Sequence, residues 1–516
     1  MTPGDTLIGY LLTTSTAPAD VDALGSMAEV ILTDAQSLAT EFSDLYGGFV
    51  LLDSYYRGEP PLPREPVRLT SKYRELLQMG VSNWCALVVD VVNERLAVSS
   101  IISTEHPARD PVAWSWWTAN NMDQHSATIH TAALTYGCCY VSVWPSSDAQ
   151  GNPDLTAPPI IMGESPLTTH VRINDATGTA CCAFRVWADR QTGYLYADYT
   201  NDLWQFRLKS TDPVQPMPFG KFNDRDVLTT DLSHVTWTFR EDVAPLRANP
   251  LGVVPYAKLR TQPDLLGGYR SEIAGVLPIQ DRINKTNFDR LITQEFAAFP
   301  QRWVTGIDVP TDPSTQKPVE PFNAAVDRIW TSSDPDTKMG QFPPADLNGY
   351  LAAITADVQA LATQSRTPPH YLLAGMGQFP SGESVRATEY GLTRKVQARQ
   401  VSYGDTWGDV LRLCALAVGD QQRANDPRLN VTWADVEARS EAETVDALVK
   451  MGSLGVPADA LWQRWGASAE EIAAWSKAIQ DAPDDPTKQV TVTVPAAGSA
   501  APAAPAQIPQ ADRPRL

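Results

Sequence analysis

The sequence predicts a multidomain α+β protein, on three observations. Apolar residues recur at helical spacing over about residues 19–125. A β-branched and aromatic stretch with turn-type interruptions runs from about Gly137 to Leu259. The chain then returns to helical periodicity, including one segment of unusual length from Ser384 to Val418. With 516 residues, 43% of them hydrophobic and 20% charged, the chain has a globular composition and enough length for three or four compact units.

The first helical stretch has Val21, Leu24, Met27, Ile31 and Leu38 on one face, with Asp20 placed to cap its start. It ends at a proline-rich turn, Tyr55-Tyr56-Arg57-Gly58-Glu59-Pro60-Pro61-Leu62-Pro63, which cannot continue a helix. A second helix is predicted over Ser82–Arg95, with Trp84, Leu87, Val88, Val91 and Val92 on one side. Five strands follow, Tyr140–Trp144, Cys181–Trp187, Tyr194–Tyr199, Leu203–Leu208 and Val235–Phe239, read together as one antiparallel meander.

After Leu259 a helix is expected over Ser271–Phe296, with Pro278 either kinking it or marking its true start. A proline-rich block, Phe299–Ala345, contains two strand-like pieces at Arg302–Thr305 and Arg328–Thr331. A helix over Ala345–Gln364 ends at Thr367-Pro368-Pro369, and a loop, His370–Gly382, leads into the long helix. At 1.5 Å per residue that helix spans roughly 50 Å, a length suited to a pillar. A smaller helical unit is expected over Thr432–Ala482, and an alanine- and proline-rich tail from Pro483 has too little apolar bulk to fold.

Forty-one basic against sixty acidic residues give a net charge of −19, which argues against tight binding to a phosphate backbone but not against a wall past which DNA slides. Six cysteines lack the density of a disulfide scaffold and read as small buried hydrophobes in a reducing compartment. In the adjacent pairs Cys138-Cys139 and Cys181-Cys182 the side chains point to opposite strand faces, which argues against either pair chelating a metal. The N-terminus lacks a basic region before an apolar stretch and no window approaches eighteen consecutive apolar residues, so neither secretion nor a membrane span is expected.

Signals for chemistry are sparse. Gly377–Ser384 has the glycine spacing of a phosphate loop, but Glu383 stands where that loop needs lysine. His125 and His130 are five apart, which does not put both on one helical face as a zinc pair requires. No cofactor or metal is implied. Most of the fifteen tryptophans, among them Trp84, Trp187, Trp204, Trp237, Trp407 and Trp462, sit at periodic apolar positions and read as core or subunit-interface packing. The competing reading is an acidic cytoplasmic enzyme with a tryptophan-lined substrate groove.

Local motifs in a particular order favour a structural protein over that enzyme. They are Tyr55-Tyr56-Arg57-Gly58 with Pro61-Leu62-Pro63, Asn83–Asp90 followed by Glu94-Arg95-Leu96, Trp117–Asn121 with Asp123, and Ala133–Gly137 before a strand. Then come Ser271-Glu272-Ile273, Gln280–Thr286, Asp289-Arg290-Leu291 and Phe299–Trp303, and after them Gly340-Gln341-Phe342, Ala345-Asp346-Leu347 and Pro368–Leu372. Across about residues 40–475 this series resembles the portal proteins of siphovirus-type tailed bacteriophages, in which two stem helices bracket a small clip.

The resemblance implies a portal fold with a mixed α/β wing, a two-helix stem, a small α/β clip, a long wing helix and a helical crown. The implied boundaries are an N-terminal arm and wing over 1–270, first stem helix 271–298, clip 299–344, second stem helix 345–366, tunnel loop 367–382, long wing helix 383–429, crown 430–482 and tail 483–516. It implies a non-enzymatic head–tail connector in the virion, assembled in the host cytoplasm. The implied ring, commonly of twelve copies, sits at one capsid vertex and passes double-stranded DNA non-specifically. The implied partners are further copies of the chain, the terminase large subunit, a head–tail adaptor, and the major capsid and scaffolding proteins, with no membrane.

Implied site residues are Arg366, His370, Tyr371, Met376, Gln378 and Phe379 facing DNA from the tunnel loop. Gln301, Arg302, Trp303, Arg328 and Trp330 would serve clip docking, and Gln280, Asp281, Asn284, Lys285, Asp289 and Arg290 the stem. Arg366, Arg386 and Lys395 are expected as sparse cations that brake DNA without trapping it. Gly382 departs from the alanine usual at the start of the long helix.

Overall fold

A computed structural model describes residues 26–480, apart from 62–70, 149–151, 175, 190, 215–218, 223–224, 229–230, 299–301, 306–336, 342–345, 373–381, 437–440, 466 and 468. The chain divides into a unit ending at Arg439 and a second beginning at Ser440. Asp20, Arg328–Thr331 and the tail from Pro483 lie outside the described residues.

Helix α1 (Ser26–Tyr56) stops where the sequence requires, because Gly58 takes φ +75° and a Cβ there would press within 3.1 Å of the Asn83 side chain. Helices α2 (Ser71–Met79) and α3 (Trp84–Asn93) follow. The Asn83 side chain caps α3 by accepting from the Ala86 N–H at 3.1 Å. The stretch Arg74–Asn93 has the length and mean hydropathy of a membrane span. It is two helices interrupted at residues 80–83, and Cys85, Val88, Val89, Val91 and Val92 are buried in the protein core.

Strand β1 (Val98–Ile102) leads to α4 (Pro111–Ala119), whose cap Asp110 accepts from the Val112 and Ala113 amides at 3.0 Å with proline in the first turn. Helix α5 (Met122–Tyr136) ends at Gly137, φ +88°, where a Cβ would come within 2.9 Å of the Ser271 nitrogen. Only glycine fits that joint between α5 and the segment entering the next helical region.

The β-rich part comprises β2 (Cys138–Trp144), β3 (Ser146–Ser147), β4 (Pro153–Asp154), β5 (Ile160–Glu164), β6 (Thr169–Ile173), β7 (Ala180–Ala188), β8 (Leu195–Thr200), β9 (Trp204–Ser210), β10 (Phe219–Phe222), β11 (Arg225–Leu228), β12 (Trp237–Phe239), β13 (Leu246–Ala248) and β14 (Tyr256–Arg260). The expected meander exists as the antiparallel order β12-β9-β8-β7-β6, with β13 also on β9. Its inner face, including Phe184, Val186, Leu195, Ala197 and Leu208, packs on Ile31, Ala35, Leu38 and Phe42 of α1.

Strand β2 departs from the expectation: it is the centre of a separate antiparallel sheet, β14-β2-β5. The reason is burial on both faces, since Cys138 through Val143 are all buried, whereas β8 and β9 alternate. Cys138 and Cys139 do enter different clusters, but Cys181 is exposed, unlike the other five cysteines. Trp187 also differs from its expected packing, being half exposed and stacked on Tyr196, whereas Trp237 and Trp407 are buried.

Helix α6 (Leu277–Ala298) begins one residue before Pro278, so that proline marks a start rather than a kink. Strands β15 (Arg302–Thr305) and β16 (Lys338–Gln341) pair antiparallel. Helix α7 (Asn348–Ser365), the short α8 (Pro369–Leu372) and α9 (Gly382–Ala417) follow. The 36 residues of α9 span roughly 54 Å. Its Leu392, Val396, Tyr403, Trp407, Leu411 and Cys414 form the spine of the main core, against α3, α5, β2 and β14. Helix α10 (Gln421–Ala424) leads to β17 (Asn430–Trp433), which pairs antiparallel with β1. In the second unit, α11 (Glu441–Ser453), α12 (Ala458–Trp465) and α13 (Ala469–Gln480) gather Trp462 and Trp465 around Trp475.

Candidate functional site

Helices α6 and α7 are antiparallel partners. Gln364 donates to the Gly275 carbonyl at 2.7 Å, Arg282 pairs with Asp357 at 2.8 Å, and the Thr293 and Tyr350 hydroxyls meet at 3.2 Å, so the numbers rise on one helix as they fall on the other. Between them in sequence lies the β15–β16 pair. There Trp303, 39% exposed, covers Gly340, where a Cβ would sit 2.6 Å from the indole. Arg302 lies on β15, while Gln301, Arg328 and Trp330 lie outside the described residues.

The six residues expected in the stem divide by what they touch. Buried Gln280 donates to the Ser82 carbonyl at 2.6 Å and to Asn284 at 2.9 Å, and accepts from the Trp84 amide at 3.0 Å. Asn284 in turn accepts from the Ser82 amide at 3.0 Å. Two side chains one helical turn apart therefore hold the entry to α3. Asp281 accepts from the Tyr55 hydroxyl at 2.6 Å, and Lys285 pairs with Asp289 on the surface. Among the described residues, the Arg290 Nε is buried without a hydrogen-bond partner.

At one end of this antiparallel pair, the start of α6 and the end of α7 are linked through one carboxylate that sequence reasoning missed as a site. Glu272, in the turn before α6, accepts from Lys395 Nζ at 2.8 Å and from Arg399 Nε, both on α9, and all three side chains are buried. Lys395 also donates to the Ser365 carbonyl at the end of α7, at 3.0 Å. Burial pushes the Glu272 carboxyl up, but the two cations outweigh it and hold the carboxyl below its ordinary range. Lys395 therefore cannot serve as a DNA-facing brake, because its charge is committed inside the protein. No local motif marks this cluster, since 127 residues separate Glu272 from Arg399.

The segment entering the expected tunnel loop is similarly tied in. Arg366 is exposed, takes φ +55° and caps α7. The Tyr371 hydroxyl accepts from Arg95 Nη2 at 2.9 Å and donates to Glu389 at 3.1 Å. His370 lies 3.7 Å from the same carboxylate, its ring against that of Tyr371. Met376, Gln378, Phe379 and most of the phosphate-loop-like motif lie outside the described residues.

Among the described residues no group of His, Cys, Asp and Glu could hold a metal. His125 is exposed, while His130 is fully buried, its pKa pushed down to about 3 by burial. A large open cleft of about 2010 Å³, between α1, β6, β14 and α9, has no tryptophan among the described residues that line it. The groove expected of the enzyme reading is therefore not this one.

A family model described as "Phage portal protein, SPP1 Gp6-like" matches residues 49–484. The chain belongs to this phage portal family. The match takes in α6, the β15–β16 pair, α7 and α9. The chain is also 27% identical over 405 residues to the portal protein of Mycobacterium phage D29, covering 76% of this chain and 78% of that one. It is 25% identical over 429 residues to the portal protein of Mycobacterium phage L5, covering 81% of each. The portal family is structural rather than enzymatic, and its members sit in the virion capsid. The mixed α/β architecture of the chain agrees with the α+β portal fold.

Proposed function

We propose that this portal protein closes with about a dozen copies of itself into a ring at one capsid vertex, through which double-stranded DNA enters and later leaves the head. The observation that carries the reading is the family match spanning both antiparallel helices and the paired strands between them. In this reading, residues 1–270 and the long helical region 383–429 form the wing, and 271–298 with 345–366 form the stem. Residues 299–344 form the clip, on which the terminase large subunit docks and then a head–tail adaptor, through Gln301, Arg302, Trp303, Arg328 and Trp330. Residues 440–482, in the second unit, form a crown, whereas β17 goes with the wing because it pairs with β1. Assembly takes place in the host cytoplasm with major capsid and scaffolding proteins.

The tunnel loop over 367–382 carries the closest DNA contacts, supplied by Arg366 and by Met376, Gln378 and Phe379. His370 and Tyr371 act at its base, since both are turned to Glu389. The net charge of −19 supports passage over binding, because few counterions are released by such a wall. Deleting residues 373–379, which leaves the Tyr371 contacts in place, is expected to give rings that assemble but heads that lose packaged DNA. Heads filled and stable to the wild-type level would remove the loop from this role.

A further inference from the structure

The turn Asp264–Gly268 holds two leucines in water. Leu265 and Leu266 are 105% and 96% exposed. The turn is not loose: Asp264 accepts from the Leu266 and Gly268 amides at 2.9 and 2.8 Å, its own amide donates to the Gly268 carbonyl at 3.1 Å, and Gly267 takes φ +77°. A pre-ordered turn that presents adjacent leucines gains nothing in an isolated chain and suits a contact in which they are buried.

Gln262 and Pro263, directly before this turn, line the large cleft between α1, β6, β14 and α9. The exposed apolar side chains Val30, Val253 and Val401 line it too, so turn and cleft make one continuous face. At about 2010 Å³ the cleft exceeds the range of roughly 300–1,000 Å³ typical of small-molecule sites and suits a segment of protein. Its lining carries five acids and five bases, and Arg172, Arg399 and Arg412 are already paired with Asp34, Glu272 and Asp409. That balance disfavours a nucleic acid and matches a face between proteins.

We propose that this face is one flank of the contact between neighbouring copies of the chain, with the cleft and the Leu265–Leu266 turn covered by the next subunit. The inference rests on the ring reading above. A head-to-tail contact of this kind, repeated with a rotation that closes, generates a ring.

Cys181 supplies a native reporter, because it lines the cleft and is exposed while the other five cysteines are buried. The full-length chain and a Leu265→Asp/Leu266→Asp variant are compared at micromolar concentration by light-scattering mass, circular dichroism and maleimide labelling read by mass spectrometry. Met79→Asp, an exposed position on α2 outside the cleft, serves as the control. The expected result is wild-type and control rings with Cys181 protected, and a folded double variant that associates roughly tenfold or more weakly per leucine, with Cys181 labelled.

Wild-type rings with freely labelled Cys181, or unimpaired rings from the double variant, would overturn the proposal and leave the ring reading standing. A wild-type monomer whose Cys181 is protected until residues 1–25 are deleted would overturn it too, by giving the cleft to the chain's own N-terminus. A wild-type monomer with Cys181 exposed under all conditions would remove the ring reading, and this inference with it.

Discussion

Glu272→Ala is expected to destabilise the unit ending at Arg439 by about 3–5 kcal/mol, because it leaves Lys395 and Arg399 buried without a counter-charge. The same change removes one of the ties between the end of α7 and the turn before α6, since Lys395 bridges Glu272 and the Ser365 carbonyl, while the Gln364 bond to the Gly275 carbonyl stays. Thermal unfolding followed by circular dichroism, with Glu272→Ala, Lys395→Met, Arg399→Met and the three changes combined, separates charge from packing. The combined variant, Glu272→Ala/Lys395→Met/Arg399→Met, is expected to recover much of the loss, because no unpaired charge remains. Equal losses in all variants would show that packing alone matters there.

The pH dependence has a definite sign. The Glu272 carboxyl is held below its unfolded value of about 4.5, so its contribution is fully present above that pH and is lost as pH falls through the lower folded value. The stability gap between wild type and Glu272→Ala is therefore constant near neutrality and closes in acid. A gap that widened in acid would contradict the ionised-carboxylate assignment.

Trp407→Ala is expected to cost about 3–5 kcal/mol, as for other large aromatic truncations in a packed core. Trp407 is fully buried in the C-terminal third of α9, edge-on to Trp117 at 5.1 Å, and donates to His130 Nε2 at 2.9 Å. That bond requires an unprotonated Nε2, in keeping with the depressed His130 pKa. Removing the indole opens a cavity and leaves a buried ring nitrogen unpaired. Trp407→Phe keeps most of the volume and should lose less, and a denaturant midpoint unchanged in Trp407→Ala would show that the core collapses around the gap.

Much of the fold is written in local signals. Asn83, the Asp110-Pro111 pair, Gly137 and Pro278 each mark a helix end or start through capping or backbone chemistry that acts within a few residues. The stripe from Leu392 to Cys414 likewise reads as a long buried helix from periodicity alone. The sheet partition was less legible: β2 is distinguished from the meander only by its unbroken burial over Cys138–Val143, and a short apolar run carries little directional information. The pairing of β1 with β17 joins segments more than 300 residues apart, which no periodicity announces.

The site was legible in part. Gln280, Asp281 and Asn284 came from an ordered series of motifs, and the structure adds that they hold Ser82, Trp84 and Tyr55. Lys395 reads from sequence as an available cation, because the carboxylate that neutralises it arrives from a distant turn. The Leu265–Leu266 turn carries no periodic pattern, and its meaning lies in exposure, which is a property of the folded chain.

Ring formation is tested by negative-stain electron microscopy with light-scattering mass on the purified full-length chain at micromolar concentration. Rings with a central hole and a mass near a dozen protomers of 56.4 kDa are the predicted result. A compact monomer that stays monomeric even with capsid protein present would contradict it.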